Sequence, residues 1–311
     1  MRRLLPALLL ALAAACNRGG DAGRPVVALV PKTMNNPFFV DMERGARAAA
    51  DSLGLELVVQ AAEREVDAER QLQIVENLVQ RRVAVLLIVP SGSREIVPAI
   101  VKANAASIPV AVVDTRVDTA ALRAAGGRVA TFVGSDNVDG GRLAGRFLAE
   151  RLGGTGRVAV LEGVPGHESG DARLRGFREA LAEAPGMTIV ASQPADMERD
   201  RAFQVTQNVL QAHPDVQAVF ACNDVMALGA VEAIAAAGRA GKVTVVGFDA
   251  QDDARAAIRA GRMHATVAQF PAEMGRRAVE SAWRLLRGET VPAEQPVRIE
   301  LVTGGRPDDS P

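Results

Sequence analysis

Several things are too scarce in this chain to support whole classes of function. It carries two cysteines, Cys16 and Cys222, in 311 residues. Two cysteines allow at most one disulfide, so the bridge framework of small secreted domains is excluded and the fold must rely on its core. Histidine is equally scarce, with His167, His213 and His264 the three present. None has another at helical ligand spacing, which argues against zinc chemistry. His213 before Pro214 reads as the end of a helix, His167 as a solvated loop residue, and Cys222 as a small buried residue rather than a nucleophile. There is no basic excess either, with 36 Lys and Arg against 37 Asp and Glu. A nucleic-acid surface needs a basic face, so no such partner is expected. Beyond the first fifteen residues no apolar run reaches the length of a membrane span.

Catalytic and cofactor motifs are missing too. Gly166-His167-Glu168-Ser169-Gly170 lacks the spacing of a nucleophile elbow. Gly153-Gly154-Thr155-Gly156 precedes a strand pattern instead of joining a strand to a helix, so it reads as a turn and not as a phosphate cradle. Asp136-Asn137-Val138-Asp139-Gly140 begins like a calcium loop, but the later ligand positions do not follow. No acid–base pair or activated nucleophile stands out. The expectation is a protein that is not an enzyme and holds no cofactor and no metal.

What is present begins at the N-terminus. Met1-Arg2-Arg3 is followed by the apolar segment Leu4–Leu12 and by Ala13-Ala14-Ala15-Cys16. A basic start, a short apolar stretch and small residues make a secretory signal, too short to span a bilayer. Cys16 resembles the lipidated first residue of a bacterial lipoprotein, although Ala13 stands where leucine is usual. The three alanines also fit ordinary signal-peptidase cleavage. The lipoprotein reading predicts a signal peptide over 1–15 and a polar tether over 16–24. It places the protein in the periplasm or cell envelope, held to the membrane only by a lipid on Cys16.

After the tether, apolar β-branched runs alternate with helical patterns. The runs are Val26–Val30, Leu55–Val59, Val83–Val89, Val110–Asp114 and Ala130–Gly134, then Arg157–Leu161, Thr188–Ala191, Val216–Ala221, Val243–Phe248, Met263–Ala268 and Val297–Val302. Between them lie helical stretches such as Asp67–Arg81, Arg94–Ala106, Gly140–Leu152, Ala172–Ala184, Arg199–Ala212, Met226–Ala237 and Pro271–Leu286. Continuous apolar strands alternating with helices predict parallel sheets covered on both faces. That many strands predict two doubly wound α/β domains.

Ligands of such sheets bind at the carboxyl ends of strands. The polar residues just past those ends are Lys32 and Asn36, Asp114, Ser135-Asp136-Asn137, residues 162–167, Asn223-Asp224, Asp249 and Gln269. Asp136 and Asp224 sit where helix N-caps are wanted. Lys32-Thr33-Met34-Asn35-Asn36-Pro37-Phe38-Phe39 combines a cation, amides and two aromatics after the first strand. Those groups suit a ligand with polar edges and apolar CH faces, as a sugar has; a plain strand-to-helix turn anchored by its phenylalanines fits the same residues.

This stretch resembles the first strand and loop of periplasmic ribose- and allose-binding proteins. The resemblance continues through Ala191-Ser192-Gln193-Pro194-Ala195-Asp196, His213-Pro214-Asp215-Val216, Asn223-Asp224, Val246-Gly247-Phe248-Asp249 and Thr266-Val267-Ala268-Gln269, and it spans residues 25–302. It implies the type I periplasmic binding fold: two parallel-sheet domains joined by three segments, which close on a sugar for an ABC-type importer. By analogy the crossings fall near Ser135, Gln269-Phe270 and Arg298. One lobe would be 25–135 plus 270–298, the other 136–269 plus 299–306, with 307–311 a tail. The implied ligand contacts are Asn36, Phe38, Phe39, Asp114, Arg173, Asn223, Asp249 and Gln269, with Lys32 and Met197 as the variable positions. The implied partners are a monosaccharide and a membrane permease, with the protein itself a monomer.

Three positions depart from the ribose-binding pattern. Lys32 replaces serine, Thr115 replaces arginine, and Met197 replaces an aromatic. Lys32-Thr33, Ala125-Gly126-Gly127 and residues 163–173 follow the allose-binding form, which implies an allose-like or other hexose, with ribose as the alternative. Met197 departs from that form as well, since allose binders carry tryptophan there. Other functional readings are a sugar sensor for a chemotaxis or signalling receptor, and the effector domain of sugar-responsive repressors. A repressor would carry a helix-turn-helix where this chain has its signal segment.

Overall fold

The computed structural model describes residues 23–304. The signal segment, Cys16 and the tail lie outside the described residues.

The first sheet contains β1 (Val26–Val30), β2 (Glu56–Val59), β3 (Val85–Ile88), β4 (Val110–Val113), β5 (Thr131–Ser135) and β11 (Glu294–Val297), in the order β2-β1-β3-β4-β5-β11. All its strand pairs are parallel. Successive strand residues face opposite sides. Val27 and Leu29 accordingly pack with Phe38, Met42 and Met274 under α1 (Pro37–Leu53) and α10 (Pro271–Leu286). Ala28 and Val30 pack with Ile74, Leu78 and Ile100 under α2 (Ala68–Gln80) and α3 (Val97–Ala105). A strand buried on both faces has to be apolar at every position, which is why β1 reads VVALV. The short α4 (Thr119–Ala124) completes this lobe.

The second sheet repeats the plan with β6 (Thr155–Glu162), β7 (Gly186–Pro194), β8 (Ala218–Ala221), β9 (Thr244–Asp249), β10 (Ala265–Ala268) and β12 (Glu300–Thr303). Its order is β7-β6-β8-β9-β10-β12, and β12 alone runs antiparallel. Its helices are α5 (Asn137–Arg151), α6 (Glu168–Ala182), α7 (Arg199–Ala212), α8 (Asp224–Ala236) and α9 (Asp252–Arg259). Helices α5 and α6 touch backbone to backbone. A Cβ on Gly141 would overlap the Arg173 carbonyl, and one on Gly176 would overlap that of Val138. This close approach fixes where Arg173 stands.

The chain passes between sheets three times, after β5, between β10 and α10, and between β11 and β12. The third passage corrects one expectation. The run Val297–Val302 is not one strand: it breaks at Arg298-Ile299, and its halves pair in different sheets. Two short helices, α4 and α9, bury only one large apolar side chain each, Leu122 and Ile258. Helices α5 and α6 start three and four residues before their apolar patterns, because their first turns are polar. Asp136 caps α5 through Asp139 N–H, but Asp224 does not cap α8. Asn223 takes that role, accepting from Met226 N–H at 2.8 Å. Among the described residues no helix is long and apolar enough to cross a membrane.

Candidate functional site

The carboxyl ends of both sheets face one another across a cleft. Nine of the ten sequence-predicted ligand residues line it: Lys32, Asn36, Phe38, Phe39 and Asp114 from the first lobe, and Arg173, Met197, Asn223 and Asp249 from the second. Gln269 stands one step behind, donating to Asp249 Oδ1 at 2.8 Å. Glu65 and Ser169 complete the lining. The cleft holds about 260 Å³, open space at its mouth included.

The two carboxylates sit on unusual backbone. Asp114 has φ +61° and Asp249 φ +113°, a region costly for residues with a Cβ. At Asp114 the chain turns within three residues, as Thr115 N–H reaches the Val113 carbonyl at 2.7 Å. Thr115 Oγ1 then donates to Asp114 Oδ2 at 2.8 Å, while Oδ1 is buried with no partner in the protein. Asn223 spends its oxygen on capping α8, and its Nδ2 is likewise buried and unpartnered. So is Gln269 Oε1. Buried polar atoms are ordinarily bonded, so those of Asp114 and Asn223, which line the cleft, are available to a polar ligand.

Arg173 is the most tightly held of the group. Its Nε donates to Asn137 Oδ1 at 2.8 Å and its Nη1 to the Cys222 carbonyl at 2.7 Å. Nη1 also lies 3.6 Å from Asp249 Oδ1, and the guanidinium stacks 3.9 Å above the Phe248 ring. None of these contacts uses Nη2. Burial pushes Asp249 up to about 7; Arg173 and Gln269 pull against that rise, and Asp114 and Glu65 add to it. Donors offered by a ligand would favour the charged form.

Glu65 left no signal in the sequence, because it lies in an irregular loop six residues past β2. It pairs with Lys32 at 3.7 Å and accepts from Asn36 Nδ2 at 3.0 Å. Lys32 is 2 % exposed, so its charge is balanced inside the cleft and not by water. Phe38 and Phe39 meet edge to face, with ring centroids 5.3 Å apart and planes at 89°. Both rings line the cleft beside the polar groups.

Several bonds cross between lobes. Gln251 Nε2 donates to Asn36 Oδ1 at 2.9 Å, Glu168 N–H donates to Ser93 Oγ at 3.2 Å, and Ser169 Oγ donates to Thr115 Oγ1 at 3.1 Å, since the Thr115 proton is spent on Asp114. The lobes are therefore closed. His167 lies on this seam. It is 4 % exposed, which corrects its reading as a solvated loop residue. Burial, reinforced by the nearby Lys32 charge, lowers its pKa to about 3. Cys222 is fully buried and its thiol is pushed up to about 12, so it is no nucleophile at neutral pH. Among the described residues no group of His, Cys, Asp and Glu is placed to hold a metal.

Two parallel-sheet lobes, a closed polar cleft at the strand ends and a three-segment crossing give the setting for comparison with known proteins. A family model described as "Periplasmic binding protein domain" matches residues 27–290. The chain belongs to that family. It is 42% identical over 279 residues to the ribose import binding protein RbsB of Escherichia coli K12, covering 90% of each chain. It is 38% identical over 277 residues to the D-allose-binding periplasmic protein of the same organism, covering 88% of this chain and 89% of that one. Among solved structures, a periplasmic solute-binding protein from Actinobacillus succinogenes with bound D-allose matches with a TM-score of 0.86 and 39% identity. That match covers 90% of this chain and 98% of the other. Relatives binding ribose and relatives binding allose lie at similar distances, so identity alone does not choose between them.

Proposed function

We propose that this chain is an exported receptor that captures a monosaccharide by closing its two lobes and delivers it to the permease of an ABC-type importer. The observation that carries the reading is the set of buried, differently oriented polar groups at the lobe interface. Asp114 Oδ1, Asn223 Nδ2 and the Arg173 fork face a cleft walled by Phe38 and Phe39. Sugar hydroxyls both donate and accept, so carboxylates, a guanidinium and amides together satisfy them, while aromatic faces cover the CH faces.

In this reading Asp114 and Asp249 accept from ligand hydroxyls, Arg173 and Asn223 donate, and Gln269 holds Asp249 in place. Lys32, neutralised by Glu65, supplies a donor suited to an allose-like hexose. The lobes are 25–135 with 270–298 and 136–269 with 299–306. Binding favours the closed state by contacting both lobes at once. The chain acts as a monomeric binder and not as an enzyme, and Cys16 carries the lipid that keeps it at the cell envelope.

The test is a thermal-shift panel of pentoses, aldohexoses and deoxysugars on the ligand-free mature protein. A ligand that binds only the folded state raises the melting temperature once its concentration exceeds Kd. A shift with a hexose or pentose, abolished in Asp114→Ala and in Asp249→Ala, is the expected result. No shift with any sugar would overturn the reading.

A further inference from the structure

The cleft is not the only space between the lobes. A second cavity of about 850 Å³, open space at its mouth included, adjoins it. Asn36, Glu65 and Met197 line both. The second space draws Asn35 and Arg64 from one lobe and Asp196 and Glu198 from the other, so it too changes shape when the lobes move. At its rim the exposed Arg64 and Glu198 come within 4.0 Å across the lobes, a weak and salt-screened contact.

Met197 is the one apolar side chain of the three that stand between these spaces, and its placement is specific. Asp196 and Met197 both have positive φ, +54° and +62°, two strained non-glycine residues in succession. The methionine methyl lies against Gly163 and Gly170, where a Cβ on Gly163 would collide with it. At Met197 the wall between the spaces is thus a thin, unbranched side chain tucked against two glycines. A thioether with three rotatable bonds yields to a neighbouring group as no flat ring can.

The chemistry of the second space limits what could enter it. Five carboxylates line it against two arginines, Arg64 and Arg199. That balance opposes a phosphate or a uronate. Amide and carboxylate oxygens suit hydroxyl donors.

We propose that the site takes a glycoside or disaccharide, with one sugar unit in the cleft and a second, uncharged polar unit passing Met197 into the adjoining cavity. The proposal rests on the sugar-binding reading above. Isothermal titration calorimetry on the mature protein tests it. The probes are ribose, allose and glucose, each free and each carrying a single O-methyl or O-glucosyl group at successive ring positions.

At least one substituted sugar should bind as tightly as its free parent, or more tightly. Met197→Trp should weaken that compound at least tenfold more than it weakens the free sugar, with circular dichroism and an unchanged melting temperature showing that the variant is folded. Met197→Phe is the second variant, should tryptophan fail to fit against Gly163. Binding of free sugars with every substituted form excluded would overturn this inference alone. So would equal preferences in wild type and in a folded aromatic variant. No binding by free or substituted sugars would overturn the inference together with the reading beneath it.

Discussion

Asn36 Oδ1 accepts a 2.9 Å hydrogen bond from Gln251 Nε2 in the opposite lobe, and the same oxygen caps helix α1 through Phe38 N–H at 3.1 Å. One atom thereby ties the entry of a helix, the orientation of Phe38 and the closing of the lobes. One of its two amide N–H groups goes to Glu65, which leaves the second free at the cleft.

Removing the Gln251 side chain should therefore loosen closure without disturbing either lobe. A neutral hydrogen bond of this kind contributes about 1 kcal/mol, roughly fivefold in Kd. Gln251→Ala should weaken sugar binding by about that factor in calorimetric titration. The melting temperature of the ligand-free protein should stay unchanged, since the side chain bonds across the lobes and not within one. Unaltered affinity would show that this bond plays no part in closure.

Arg173→Lys is not a conservative change at this position. Lysine keeps the charge but loses the fork that serves Asn137 and Cys222 and the planar stack on Phe248. The change also removes Nη2, the charged donor that the protein leaves free for a ligand, and losing such a bond to a ligand costs about 1.5–3 kcal/mol. Binding should fall roughly 10- to 150-fold in the same titration. Affinity within twofold of wild type would remove Arg173 from the recognition set.

Much of this site was legible because parallel sheets put ligand residues at strand ends, and strand ends are visible as the close of apolar runs. Asp114, Asn223 and Asp249 were found in that way. Glu65 was not, since it follows β2 by six residues of irregular chain and nothing local distinguishes it from a surface acid. Gln251 escaped for a related reason: its partner Asn36 is 215 positions away, and only the closed arrangement brings them together. The run Val297–Val302 misled because apolar periodicity does not record which sheet a strand joins. Asn223 and Asp224 are both good capping residues, so only the backbone could show that Asn223 caps and Asp224 instead accepts from Gln251 N–H and Thr266 Oγ1.

Gly176→Ala tests whether the α5–α6 contact positions the site. A methyl there meets the Val138 carbonyl, a backbone atom that cannot turn aside, so the helices must separate. Overpacking of this kind costs about 1–3 kcal/mol. Urea denaturation should show that loss. Sugar affinity should fall too, because Arg173 lies one turn before Gly176 on the same helix. A destabilised protein with wild-type affinity would separate packing from positioning.

His167 is buried at the closed seam beside Lys32 with its Nδ1 unpartnered, and its pKa there falls from the ordinary 6.5 to about 3. In an open cleft, with water restored around it, the ring returns toward its ordinary value. The closed state then binds fewer protons than the open one between those limits. Its advantage is fully present above pH 6.5 and is lost as pH falls toward 3. At pH 5 the loss of affinity from this ring is at most about 30-fold. Burial raises Glu168 and Asp249, which take up protons in the closed state and act in the opposite direction. The wild-type profile alone therefore mixes the contributions. Comparing it with His167→Gln isolates the ring: the ratio of the two dissociation constants should be flat above pH 7 and change steadily from pH 6.5 to 5. A ratio constant across that range would mean that His167 keeps its buried, neutral environment whether the lobes are open or closed.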